Sequence, residues 1–249
     1  MFTVALIGPD GSGKTTISRR LETELGLTVT SIYMGVNLDS SSVMLPQTRL
    51  IRALRRAARG NDPKAASDIK TFKPPPKTVL RRLTYSVRSG LRLANWLAEE
   101  RYRLSVARRH VRRGRIVVFD RHFFADFYAA DIRKTQGSRR MAQRIHGFVL
   151  QHLCPKPDLV VCLDAPAEVL YARKPEGTIE RVRRLREECL ALRDLFPEFV
   201  VVDAALPEDE VVNETAAAIR AFRDRRLQEP LSRRGLSRRR VGRPQRGRS

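Results

Sequence analysis

Acidic residues are in short supply. The 249-residue chain carries 27 Asp+Glu against 49 Lys+Arg, a net charge of +22. Cysteines number only 3, an odd count without metal-ligand spacing, so neither a disulfide scaffold nor a zinc site is expected and Cys154, Cys162 and Cys189 read as reduced thiols. The 4 histidines (His110, His122, His146, His152) form no ligand pattern and read as buried or surface residues. No apolar run approaches the roughly 18 residues that a membrane span needs. The first strand pattern begins at residue 2, so no signal peptide is expected, and the chain reads as cytoplasmic. Aromatics that could stack on bases are sparse in the stretch 49–115, limited to Phe72, Tyr85, Trp96 and Tyr102. No Asn-Lys-x-Asp guanine signature occurs, and no glutamate directly follows Asp120 to polarise a water.

The excess charge is concentrated. Residues 49–115 hold 20 Lys+Arg against 4 Asp+Glu, and residues 228–249 hold 8 Arg against one Glu, while 116–227 balance. A neutral body therefore carries two basic attachments. The second, 229–249, is rich in Arg, Pro, Gly and Ser, cannot bury enough apolar surface to fold, and reads as a disordered tail with weak nonspecific anion or nucleic-acid contacts.

Within the body one stretch stands out. Gly8-Pro-Asp-Gly-Ser-Gly-Lys14-Thr15 fits G-x-x-x-x-G-K-[ST]. An apolar strand pattern precedes it, and a helical pattern (Ile17, Leu21, Leu25) follows, stopped by Gly26. Gly11 and Gly13 permit backbone angles that turn successive N–H groups inward, and the helix start adds its positive dipole end. Lys14 would reach the β- and γ-phosphates of a nucleotide, and Thr15 would sit on Mg²⁺. The expected ligand is a nucleotide's triphosphate tail, with Mg²⁺ as the ion.

Further strand patterns end at Tyr33, Asp120, Asp164 and Asp203. Five short strands separated by helices predict a doubly wound parallel sheet, a three-layer α/β/α fold over 1–228. Asp120 ends a buried strand at the edge where the glycine loop also emerges; it is the natural partner of Mg²⁺ or the group that orients the acceptor oxygen. Arg121, beside it, can grip a phosphate in bidentate fashion. The segment from Arg173 to Arg181 mixes cations with Pro and Gly as a closing lid would.

Residues 36–113 form a basic, largely helical insertion on the acceptor side. Residues 36–42 read as a polar loop. Over 43–59 Leu50, Ile51, Leu54 and Ala58 line one helical face and Arg49, Arg52, Arg55, Arg56 and Arg59 cover the rest. Gly60 to Pro63 breaks that helix, Lys73-Pro-Pro-Pro-Lys77 is a stiff connector, and 78–113 is helical again, as one bent helix or two broken near Gly90. Four readings of the region stay open: a solvated cationic face, an electrostatic funnel for an anionic substrate, a membrane-surface face, or a nucleic-acid face.

With those residues placed, the chain resembles the thymidylate kinase family of P-loop nucleoside monophosphate kinases. The residues that carry the likeness are Gly8 to Thr16 (GxDGxGKTT), Asp120-Arg121-His122 (DR[YH]), Val161 to Pro166 followed by Arg173, and Val201 to Ala204 with Glu208 to Val211. It covers about 1–35 and 114–222. The resemblance implies an ATP- and Mg²⁺-dependent kinase making dTDP from dTMP. It implies that Gly8, Pro9, Asp10, Gly11, Ser12, Gly13, Lys14, Thr15 and Thr16 hold ATP. Asp10 then faces the acceptor, Arg121 holds the acceptor phosphate, Thr15 and Asp120 serve the metal, and Arg173 or Arg181 comes from the lid. Arg101 or Arg103 would read the acceptor's base edge, the loop after Asp203 would lie near adenine, and a homodimer is an open alternative. The chain departs from the family after its second strand, where Tyr33-Met-Gly-Val-Asn37 offers no arginine, and at Ala125 and Ala129, with Asp126 and Tyr128 nearby. A sugar, polyol or lipid-linked hydroxyl therefore stands as an alternative acceptor, and a non-kinase P-loop ATPase that binds nucleic acid as a further alternative.

Overall fold

A computed structural model describes residues 1–35, 43–59, 79–133 and 141–228. The expected loop at 36–42, the break at 60–63, the connector at 73–77 and the tail at 229–249 lie outside these residues.

Strands β1 (Thr3–Ile7), β2 (Val29–Tyr33), β3 (Ile116–Asp120), β4 (Leu159–Asp164) and β5 (Phe199–Asp203) form one sheet in the order β2-β3-β1-β4-β5. All four pairings are parallel. Alternation along β1 explains the layering. Val4 and Leu6 join a core with Ile17 and Leu21 of α1 (Lys14–Glu24) and Ile219 and Phe222 of α8 (Glu208–Gln228). Ala5 and Ile7 point the other way, into a core with Leu104 of α3 (Val79–Arg112), Phe123 and Phe124 of α4 (Phe123–Phe127) and Leu150 of α5 (Met141–His152). A strand buried on both faces needs a near-continuous apolar run, and β1, β3 and β4 have one, broken only at their ends by Thr3, Asp120 and Asp164. Helices on both faces are compatible with the expected three layers. Helix α2 (Pro46–Arg59) precedes α3, and α6 (Ala167–Arg173) and α7 (Ile179–Leu190) follow β4. No helix among the described residues is long and apolar enough to cross a membrane.

Of the two alternatives for 78–113, the structure has the single helix, Val79–Arg112, which runs on through Gly90, since an exposed helical glycine costs only about 1 kcal/mol against alanine. Helix α7 stops at Leu190, and Arg193–Leu195 forms a separate 3₁₀ turn.

Between β3 and β4, α4 runs into a π-helical turn, Tyr128–Arg133, before α5. Gly147 lets α5 approach this turn: a Cβ there would lie 2.4 Å from the Asp131 carbonyl oxygen. Beside it, His146 is buried between two carboxylates, with Nδ1 2.6 Å from Asp131 Oδ2 and Nε2 2.9 Å from Glu100 Oε1. Trp96 stacks on the imidazole at 4.2 Å and Phe127 meets its edge at 5.0 Å. Burial alone would lower the pKa of His146, but the hydrogen bonds and charges of Asp131 and Glu100 outweigh it and raise it to about 9. The folded state thus holds a proton that the unfolded chain releases near pH 6.5. This contribution is complete below about pH 6.5 and is lost as pH rises through about 9. Melting scans are expected to show stability falling across that window. His146→Ala, which leaves two buried carboxylates uncompensated, should cost about 3–5 kcal/mol and remove the fall. An unchanged slope in the variant would contradict this assignment.

Candidate active site

Strand β1 lies between β3 and β4, so the loop that leaves its carboxyl end opens where the two halves of the sheet diverge, the usual position of a ligand crevice. The loop is tight for a steric reason. Gly8, Gly11 and Gly13 have φ of 147°, 88° and 84°. A Cβ on Gly8 would sit 2.4 Å from the Leu163 carbonyl oxygen, and one on Gly11 2.5 Å from that of Leu170. The backbones of β4 and α6 therefore press on the loop. Gly11→Ala should distort it, costing roughly 1–3 kcal/mol in strain. A lower melting temperature together with lost ATP affinity is the expected pair of readings.

Helix α1 starts at Lys14 with Gly13 as its N-cap, no side-chain cap hydrogen bond and no acidic residue in its first turn. Such an end attracts anions. Lys14 is 5% exposed and turns back over the loop. Its Nζ donates to the Gly8 and Pro9 carbonyl oxygens at 2.9 and 2.6 Å and to Ser12 Oγ at 3.2 Å. Burial, aided by the Arg121 cation and opposed by Asp10 and Asp126, lowers its pKa to about 8. A buried ammonium held by neutral oxygens is a cation matched to an incoming anion.

Asp120 is paired in register with Leu6 on one side and Tyr33 on the other, and is 2% exposed. Thr15 Oγ1 donates to its Oδ2 at 2.6 Å, joining α1 to β3. Its Oδ1 is buried without a hydrogen-bond partner. A buried carboxylate oxygen left open beside a threonine hydroxyl suits a hard cation. Among the described residues no group of three or more His, Cys, Asp or Glu could hold a metal. Thr15 and Asp120 offer two oxygens, a number that would suit Mg²⁺ only if phosphates and waters completed its shell.

Arg121 follows with φ 72°, the left-handed region that non-glycine residues rarely adopt. Its backbone N–H donates to the Leu6 carbonyl at 3.2 Å, and its Nη2 meets Asp10 Oδ1 at 2.5 Å. Burial pushes the Asp10 carboxyl up, but the charge and hydrogen bond of Arg121, with help from Lys14 and Lys174, bring it down to about 2. The strained backbone and the ion pair together hold the guanidinium over the loop. Gly35 makes room for it: a Cβ there would meet the Tyr33 hydroxyl oxygen at 2.3 Å and Arg121 Cδ at 2.6 Å.

The two arginines expected to read the acceptor differ sharply. Arg103 is 2% exposed, donates from Nη1 to the Gly35 carbonyl at 3.0 Å, and lies over the Phe123 ring at 5.9 Å. Its Nε is buried without a partner. Arg101 is exposed. His122 caps α4, its Nδ1 accepting from the Phe124 N–H at 3.3 Å, and burial lowers its pKa to about 4.

On the other side of the loop, Arg173 ends α6 and donates to the carbonyl oxygens of Ala204 and Ala205 at 2.6 and 3.5 Å. It thus braces the loop after β5. Arg181 is exposed at the start of α7, beside Gly177. Sequence reasoning missed a further tie. Arg186 grips Asp164 in bidentate fashion, Nε to Oδ1 at 2.7 Å and Nη2 to Oδ2 at 2.8 Å, and Asp164 O accepts from the Ala204 N–H at 2.6 Å. The carboxyl end of β4 is thereby linked to α7 and to the loop after β5. An i-to-i+22 pair leaves no local pattern; Asp164 at a strand end was the only available signal. A separate depression lined by Met1, Thr23, Leu27, Gly114, Ile116 and Arg223 lies at the amino ends of the strands, away from this chemistry.

No protein-family model matches the chain, and no curated protein matches it closely enough to mark a relative.

Proposed function

We propose that this chain is a cytoplasmic, Mg²⁺- and ATP-dependent phosphotransferase of the P-loop kinase type, resembling thymidylate kinase, with dTMP as the first candidate acceptor and dTDP as its product. The observation that carries this reading is the Thr15–Asp120 contact, 2.6 Å long, with Asp120 Oδ1 left open beside an uncapped helix start.

In this mechanism the amides of the loop and of the first turn of α1 hold the nucleotide's phosphates. Lys14 leaves its carbonyl partners for the transferring group and regains a counter-charge. Mg²⁺, held by Thr15 and Asp120, would neutralise charge on the phosphates. Arg121, oriented by Asp10, grips the acceptor phosphate. An acceptor phosphate oxygen is already anionic, so attack forms its bond to the γ-phosphorus and breaks the bond to the β–γ bridging oxygen without a general base; ADP leaves. Positioning and charge neutralisation do the rest.

A hydroxyl acceptor, such as a sugar, polyol or lipid-linked alcohol, is the second reading. It is favoured by the carboxyl end of β2, where Tyr33, Met34 and Gly35 bring no cation and Arg103 is bound to the Gly35 carbonyl. In that case a carboxylate, Asp120 or Asp126, would take the hydroxyl proton.

ADP release measured across nucleoside monophosphates and polyhydroxy acceptors tests both. Mg²⁺-dependent turnover that rises with dTMP is the expected result. Turnover only with hydroxyl acceptors would replace the first reading by the second, and phosphate release without any acceptor would point to an ATPase.

A further inference from the structure

Helix α2 spans Pro46–Arg59 and contains five arginines and no Asp or Glu. Leu50 and Leu54, one turn apart, are both 61% exposed, and Ala53 between them is exposed. The start of the helix is fixed to the body. The Leu45 N–H donates to the Glu99 carboxylate at 3.2 and 3.3 Å, and Met44 and Thr48 are buried. Glu99 lies one turn before Arg103 on α3, the residue bound to Gly35. The helix thus emerges at the crevice side of the molecule with an apolar strip outward and dense positive charge along its length.

We propose that α2 is an interfacial helix that docks on an anionic lipid surface, with Leu50 and Leu54 entering the headgroup boundary and its arginines meeting lipid phosphates. A basic amphipathic helix with low overall hydrophobicity has the composition for this. A second copy fits less well, because two such helices would bring arginines together without a single acid on α2 to answer them. A nucleic acid fits less well too: residues 43–59 hold no aromatic side chain to stack on bases, and phosphate contacts would leave the leucines unused. A lipid surface uses both features. The proposal does not depend on the phosphotransferase reading, because its test reads binding and not turnover.

The full chain is sedimented with vesicles of phosphatidylcholine alone, or of equal parts phosphatidylcholine and phosphatidylserine, beside a Leu50→Ser/Leu54→Ser variant that keeps every charge. Wild type should bind the phosphatidylserine vesicles and not the neutral ones, and the variant should bind at least about tenfold more weakly. Both leucines are exposed, so the variant's melting temperature should match wild type. As a second readout, Leu54→Trp should give a blue-shifted emission on adding phosphatidylserine vesicles, over and above the signal of Trp96. Equal binding by the double variant would assign the attraction to charge elsewhere, the arginine-rich tail included, and overturn the proposal. So would an unshifted Leu54→Trp emission, a wild-type dimer that the double variant dissolves, or tight binding of DNA or RNA to which the leucines are immaterial.

Discussion

Lys14→Ala is expected to lower phosphoryl transfer by about 10²- to 10³-fold while leaving the fold intact. The side chain reaches only its own loop, donating to Gly8, Pro9 and Ser12, so its removal breaks no tie between elements. What is lost, under the proposed function, is the cation that would meet the transferring group. The same substitution has a signature in stability against pH. Burial holds Lys14 at about 8, below the 10.5 of an exposed lysine. Between these values the unfolded chain binds the extra proton, so the folded protein gains stability as pH rises through that window. Below about pH 8 the cost of burying the charge is fully present. Wild type should therefore gain on Lys14→Ala between about pH 8 and 10.5, the opposite trend to that of His146. A variant with wild-type turnover, or one that is unfolded at neutral pH, would show that Lys14 has a different role.

Arg121→Ala should separate acceptor use from nucleotide binding. Its guanidinium faces Asp10, whereas the Thr15–Asp120 contact, to which the proposed function gives the nucleotide and metal, is made without it. The expected result is a fall of about 10²-fold or more in kcat/KM for the acceptor, with the Kd for ATP changed by less than about threefold. Arg121→Lys should recover little, because an ammonium cannot reproduce a bidentate fork. Arg121→Gly provides a control on the backbone. At φ 72° glycine is unstrained, so this variant should be about 1 kcal/mol more stable than Arg121→Ala and equally poor with the acceptor. Equal losses in ATP and acceptor use would show that Arg121 serves both substrates.

Much of this arrangement can be read before any coordinates exist. A glycine loop between an apolar strand and a helix, and an Asp-Arg pair at the end of another apolar strand, are local patterns. Parallel pairing then brings strand ends together, so Thr15 and Asp120, far apart in the chain, meet at 2.6 Å. The need for glycine at position 8 is different in kind, since it comes from the Leu163 carbonyl of a strand distant in sequence. The His146 cluster was not legible for the same reason: Glu100, Asp131 and His146 come from α3, the π-helical turn and α5, and no spacing announces them. That turn itself escaped because α4 is only five residues long and its periodicity is interrupted. Arg173, which opens the segment read as a lid, lies against the Ala204 carbonyl, where it braces the loop expected near adenine. Arg186 carries no signal of its own in the sequence, because only the fold brings it to Asp164.

Calorimetric titration of the purified chain with ATP, with and without Mg²⁺, is the most direct test of the central claim that an uncapped helix start, one buried lysine and the Thr15–Asp120 pair hold a nucleotide. One site per chain is expected, strengthened by Mg²⁺ in wild type and insensitive to Mg²⁺ in Asp120→Asn. Absence of any heat of binding, or a Mg²⁺ effect that survives Asp120→Asn unchanged, would contradict it.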